Sequence, residues 1–119
     1  MKRKDTGNMG EQLAINFLKK KGFRILETNY RCARGEIDII SYQKESLVFV
    51  AVRTKADLTY GSPEESVTPA KKRHLESAVN HYLQKLKKMP LSWRIDLVAI
   101  ELEADNQVKR IEHIENAIE

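Results

Sequence analysis

Gly35-Glu36-Ile37-Asp38-Ile39-Ile40-Ser41 and, one polar turn later, Leu47-Val48-Phe49-Val50-Ala51-Val52-Arg53-Thr54 decide the fold. Side chains alternate along a strand, so residues two apart share a face. Glu36 and Asp38 then share one face of the first segment, with Ile37 and Ile39 on the other. The second segment is apolar on both faces from Val48 to Val52, which predicts a strand in the middle of a sheet. Beyond it Ala51, Arg53 and Lys55 fall on one face. The connection Gln43-Lys44-Glu45-Ser46 is polar and short, so the two segments are expected to form a hairpin. Acidic and basic side chains therefore meet inside an apolar sheet. Charges are rarely buried there unless they are paired or bind something.

Working outward, Met9, Leu13, Phe17 and Leu18 recur at helical spacing and predict a helix from Asn8 to Lys21, stopped by Gly22. Phe23-Arg24-Ile25-Leu26 opens a strand reaching Tyr30. Ser62-Pro63-Glu64-Glu65 reads as a helix start, and Thr68-Pro69 repeats the signal. A broken first turn and then a long helix from Pro69 to Lys88 follow from this, with an apolar stripe of Leu75, Ala78, Val79, Tyr82, Leu83 and Leu86. Met89-Pro90 closes it. Trp93 to Glu101 predicts a fourth strand, its tryptophan in the core, and Val108 to Ile114 a short fifth. The expected fold class is α/β, a mixed central sheet flanked by helices in the order α-β-β-β-α-β-β, with residues 1–119 as one domain.

Composition agrees. The chain has 119 residues, 41% hydrophobic and 32% charged, with 5 Gly and 3 Pro, which excludes collagen-like and low-complexity chains. No stretch approaches the ~18 apolar residues of a membrane span, and no signal peptide is visible behind Met1-Lys2-Arg3-Lys4-Asp5, so a cytoplasmic address is expected. Cys32 stands alone, which excludes an internal disulfide and a thiolate metal cage. The net charge of +4 permits a polyanionic partner without demanding one. Basic residues gather at Lys2-Arg3-Lys4, Lys19-Lys20-Lys21, Lys71-Lys72-Arg73 and Lys85-Leu86-Lys87-Lys88, runs that also suit solvated helix faces.

The hairpin, Tyr60-Gly61-Ser62-Pro63-Glu64-Glu65-Ser66-Val67, Gly10-Glu11, Gly22-Phe23-Arg24-Ile25-Leu26 with Asn29, Arg94 to Ile100, and His113-Ile114-Glu115-Asn116-Ala117 together resemble the YraN family over nearly the whole chain. These are small bacterial proteins of the restriction-endonuclease-like PD-(D/E)XK class, similar to archaeal Holliday junction resolvases. The resemblance implies a nuclease-like domain in which an acid on one strand, and an acid and a lysine two apart on the next, converge on Mg²⁺ and a scissile phosphate. Asp38 falls on the first metal-ligand position, and Glu11 on the helical glutamate that resembles an auxiliary acid.

This chain departs from that pattern at two positions. Where the family reads Phe-Val-Glu-Val-Lys, it has Phe49-Val50-Ala51-Val52-Arg53. Ala51 removes a carboxylate. Arg53 keeps the charge but stays protonated, and its planar fork suits a phosphate clamp. Asp38 and Glu11 with the Val52 carbonyl would hold Mg²⁺ weakly or not at all. Glu36 lies ~7 Å along the strand from Asp38, and Lys55 as far beyond Arg53. An alternative is a relict Asp38–Arg53 ion pair that only holds register. His74 and His81 have no partner at metal spacing and read as surface or edge residues, and His113 lies near the C-terminus without a partner; Cys32, beside Arg31 and Arg34, has no legible catalytic partners.

The expected function is a nucleic-acid-binding protein of nuclease ancestry with a degenerate catalytic motif (Asp38, Arg53, Glu11). Arg31, Arg34, Arg53, Lys55, Lys71, Lys72 and Arg73 are the expected phosphate contacts. No base-reading motif is present, so selectivity for structure is expected; branched DNA, and a homodimer to meet it, follow from the resolvase resemblance alone. The alternatives are an active Mg²⁺-dependent endonuclease with a rearranged site and a protein-interaction module.

Overall fold

The computed structural model describes residues 3–118, with side chains from Gly7 onward; the basic run Lys2-Arg3-Lys4 lies outside the described side chains. Helix α1 (Arg3–Lys20) begins five residues before the expected start. It ends as Gly22 directs: at a φ of 92° its N–H bonds the Lys19 carbonyl, while Phe23 N–H bonds that of Leu18. This is a Schellman closure, which favours glycine at that position. Strands β1 (Arg24–Cys32), β2 (Gly35–Gln43) and β3 (Ser46–Lys55) follow. A three-residue 3₁₀ turn (Glu64–Ser66) precedes helix α2 (Pro69–Lys85), and β4 (Ser92–Leu102) and β5 (Val108–Ile118) complete the chain. The mixed α/β architecture and element order are those expected from sequence.

The sheet order is β1-β2-β3-β4-β5, with β3 central as its two apolar faces require. β3 and β4 are parallel, joined across α2, and the other neighbours are antiparallel. Ala14 and Leu18 of α1 pack on Ile39, Val48, Val50, Val98 and Ile100. Leu75, Ala78, Val79 and Leu83 of α2 pack on Ile40, Phe49, Ala51, Ile95 and Leu97. The sheet is thus covered on both faces. No helix among the described residues is long and apolar enough to cross a membrane.

At two further boundaries the difference has a clear physical reason. Helix α2 stops at Lys85 rather than Lys88, where Leu86 turns to extended backbone and its N–H closes on Leu83. Strand β5 runs four residues beyond Ile114, because Asp96 repairs a break in it. The ladder is irregular between Ile95 and Leu97, and Asn116 sits at a φ of 52° with its N–H donated to Asp96 Oδ1 at 2.8 Å. A side-chain carboxylate replaces a backbone acceptor, and pairing resumes at Ile95↔Ile118. Trp93 also departs from expectation, being 42% exposed rather than in the core.

His113 is the larger correction, since it has partners on both ring nitrogens. Nε2 lies 2.7 Å from Asp96 Oδ2, and Lys21 Nζ lies 2.6 Å from Nδ1. An ammonium only donates, so Nδ1 accepts and Nε2–H is the donor to Asp96. Arg94 Nε donates to the same carboxylate at 3.0 and 3.2 Å. Burial alone would push the Asp96 carboxyl up, but the His113, Arg94 and Asn116 hydrogen bonds outweigh it and hold the group below its ordinary value.

The folded chain therefore keeps Asp96 ionised more readily than the unfolded chain does. Its stabilisation is complete above the ordinary carboxylate range and is lost as acidification passes through the folded-state value. Urea unfolding should show Asp96→Asn destabilised by about 3–5 kcal/mol at pH 7, since removing one member leaves buried polar partners uncompensated. That difference should shrink as the pH falls below about 4.

Candidate functional site

The β2–β3 ladder ends early. Paired positions run from Gln43↔Ser46 to Ile39↔Val50 and stop, although β1–β2 pairing continues to Cys32↔Gly35 and β3–β4 pairing to Lys55↔Glu101. Beyond that point the Val52 N–H donates to Asp38 Oδ2 at 2.8 Å, a side chain taking the place of the next backbone acceptor. The β1–β2 hairpin peels away from β3, and α2 covers the gap. A Cβ on Gly35 would lie 2.0 Å from the His74 carbonyl oxygen, so the hairpin turn meets α2 at a distance only glycine allows. Thr68 Oγ1 caps α2 by accepting from Lys71 N–H at 3.2 Å, and Pro69 fills its first turn.

The result is a cleft of about 550 Å³. Asp38, Ala51 and Arg53 line it from the strands, Arg31, Cys32, Gly35 and Glu36 from the hairpin end, and Val67, Lys71, His74 and Leu75 from α2 and its approach. Of the expected site residues, Asp38, Ala51, Arg53, Arg31 and Lys71 come together here. Lys55, Arg34, Lys72 and Arg73 do not line the cleft. Glu11 is also outside it, its Oε1 accepting from Asn29 Nδ2 at 2.8 Å, although its charge still reaches Asp38. His74 and Cys32 were not counted among the site residues. The signal for His74 was its place three residues after Lys71, on the same helix face.

Burial pushes the Asp38 carboxyl up to about 6, and the charges of Glu36 and Glu11 push the same way. The Val52 hydrogen bond and the Arg53 charge oppose them without prevailing. Glu36 is largely answered by Arg31, whose Nε lies 3.1 Å from Glu36 Oε2 on the exposed rim. Arg53 is not answered in that way. Its Nε is buried and has no hydrogen-bond partner, although the Arg53 charge still acts on Asp38.

These donors do not fit a Mg²⁺ centre of the two-carboxylate kind. One oxygen of Asp38 is committed to Val52, Ala51 presents a methyl group, and Glu11 is tied to Asn29. Among the described residues no three His, Cys, Asp or Glu side chains form a metal-holding group. What the cleft does offer is cationic hydrogen-bond donors, Arg53 above all, around one partly buried carboxylate.

Residues 10–100 match the model of "Uncharacterised protein family UPF0102". The chain belongs to that family. It is 47% identical to the UPF0102 protein of Dehalococcoides mccartyi, over 98% of this chain and 94% of that one. Identity to the UPF0102 protein of Caldicellulosiruptor saccharolyticus is 39%, over 98% and 99%. For that of Geotalea daltonii it is 42%, over 98% and 91%. The matched UPF0102 region contains every strand residue that lines the cleft.

Because the folded chain holds the Asp38 proton more tightly than the unfolded chain, the Asp38 contribution to stability should fall as pH rises from about 4 to about 6 and stay flat above. Asp38→Asn keeps an acceptor for Val52 N–H and removes the charge. It should be more stable than the parent at pH 7.5, by on the order of 2 kcal/mol, and converge with it at pH 4. Parallel thermal melts at the two pH values would check this.

Proposed function

We propose that this protein binds branched or otherwise structured DNA in a nuclease-derived cleft that has lost the ligand set for metal-assisted cleavage. The observation that carries the reading is the buried Arg53 Nε–H without a partner. An orphaned buried donor costs roughly 1–3 kcal/mol, and more on a charged group, so its presence in the cleft calls for an explanation, and an anionic acceptor supplies one. A phosphate oxygen supplies a charged acceptor and matches the guanidinium fork. Arg31 and Lys71 stand on the cleft walls, where a strand's neighbouring phosphates would lie. The replacement of the family's acid and lysine by Ala51 and Arg53 supports the same view, since both changes remove metal chemistry and one improves phosphate binding. A two-fold homodimer would suit a branched substrate.

Anisotropy titration of a labelled four-way junction tests the cleft directly. Arg53→Gln should weaken binding about tenfold or more, Lys71→Gln less, and both should reduce its salt dependence. Unchanged affinity in both variants would move the nucleic-acid surface off this cleft.

The metal reading has its own test. Millimolar Mg²⁺ should leave the melting temperature of the parent unchanged. It should raise that of Ala51→Glu with Arg53→Lys, which restores a second carboxylate and the lysine of the family pattern. A Mg²⁺-dependent rise in the parent, lost in Asp38→Ala, would instead favour an active endonuclease with a rearranged site.

A further inference from the structure

The loop from β3 to α2 presents one aromatic ring to solvent, and this ring has no place in the cleft described above. Tyr60 is 91% exposed, and Leu58 beside it is 42% exposed. A single exposed apolar residue is unremarkable by itself. Here the backbone beneath it is pinned on both sides. Asp57 Oδ1 accepts from Thr59 N–H at 2.9 Å, and Gly61 N–H bonds the Leu58 carbonyl at 3.0 Å, with Gly61 at a φ of 109°. Immediately after, Ser62 and Glu65 bond each other reciprocally, Ser62 N–H to Glu65 Oε1 and Glu65 N–H to Ser62 Oγ. Glu64 is then clamped by Arg110, whose two terminal nitrogens reach it at 2.8 and 3.1 Å while Nε holds Glu101.

The turn that carries the ring is therefore tied by hydrogen bonds on both sides. Its position along the chain matters as well. Tyr60 lies seven residues after Arg53 and seven before Val67, both of which line the cleft. The turn rises from the end of β3 that carries Arg53 and Lys55 and returns to the helix start that carries Lys71. An exposed π-face on a hydrogen-bonded turn, between chain segments that carry cations, suits single-stranded nucleic acid: cations track phosphates, and a ring stacks on an unpaired base whatever its identity.

We infer that Tyr60 is a stacking platform for an unpaired base at a fork or junction whose phosphates occupy the Arg53 cleft. The inference rests on the nucleic-acid reading above and names the feature by which branched forms are told from plain duplex. Paired and stacked bases offer no free face to the ring, whereas a branch point does. Selectivity then comes from Tyr60 and affinity from the cations.

The test uses forked DNA with one 2-aminopurine in the unpaired arm next to the branch, alongside a blunt duplex of the same length. Binding of the parent should quench the 2-aminopurine. Tyr60→Ala should abolish the quench and weaken fork binding about fivefold to a hundredfold, with duplex affinity and melting temperature unchanged. Tyr60→Phe should retain both quench and affinity. Parental fork affinity in Tyr60→Ala, or a quench that survives it, would overturn the inference and leave the cleft reading intact. So would an equal loss on fork and duplex, or a loss in Tyr60→Phe as large as in Tyr60→Ala. No binding of either DNA by the parent would overturn both.

Discussion

One hydrogen bond governs the shape of the site: the Val52 N–H donated to the Asp38 carboxylate. A sheet must satisfy each buried backbone donor, and it ordinarily does so with the neighbouring strand. Here a side chain intervenes, so β2 can leave β3 without stranding an amide. That departure opens the cleft, lets α2 lie across it and admits Gly35 against the His74 carbonyl. The same bond draws a carboxyl into a poorly solvated place and pushes its pKa up. The architecture and the electrostatics of the site thus share one cause.

Asp96 repeats the device on the other side of the sheet, where its carboxylate accepts from Asn116 N–H and bridges the irregularity in β5. The two acids end in opposite states. Asp96 collects three donors and is held ionised, whereas Asp38 has one hydrogen bond and two acidic neighbours within electrostatic reach. A buried carboxyl with every partner in place is structural. Asp38 is instead raised, beside a guanidinium whose buried Nε has no hydrogen-bond partner.

Much of this was legible in the chain. The alternation of Glu36-Ile37-Asp38-Ile39 and the double-faced apolar run of β3 gave the hairpin and its central place, because period-2 patterns report burial directly. Gly22, Ser62-Pro63 and Thr68-Pro69 marked ends and starts through local backbone chemistry. The convergence of Asp38, Ala51 and Arg53 followed from strand alternation. Lys55 lies outside the cleft, whereas Glu36, set apart by its distance along the strand, lines the cleft and acts on Asp38. What escaped depends on contacts distant in sequence. His113 looked isolated because Lys21 and Asp96 are far away along the chain. β5 looked short because Glu115 and Asn116 break its pattern and only a carboxylate on β4 restores it. Glu11 seemed free to join Asp38 because nothing local shows that Asn29 holds it.

The central claim is that the cleft reads phosphates. It is tested most directly by the affinity of the unmodified protein for labelled four-way junction, fork, duplex and single-stranded DNA, measured across a salt series. The account predicts clear preference for one branched form, with log affinity falling linearly against log salt at a slope of roughly −3 or steeper. Micromolar or weaker binding to every form, with a flat salt response, would contradict it and turn attention to a protein partner for the same cleft.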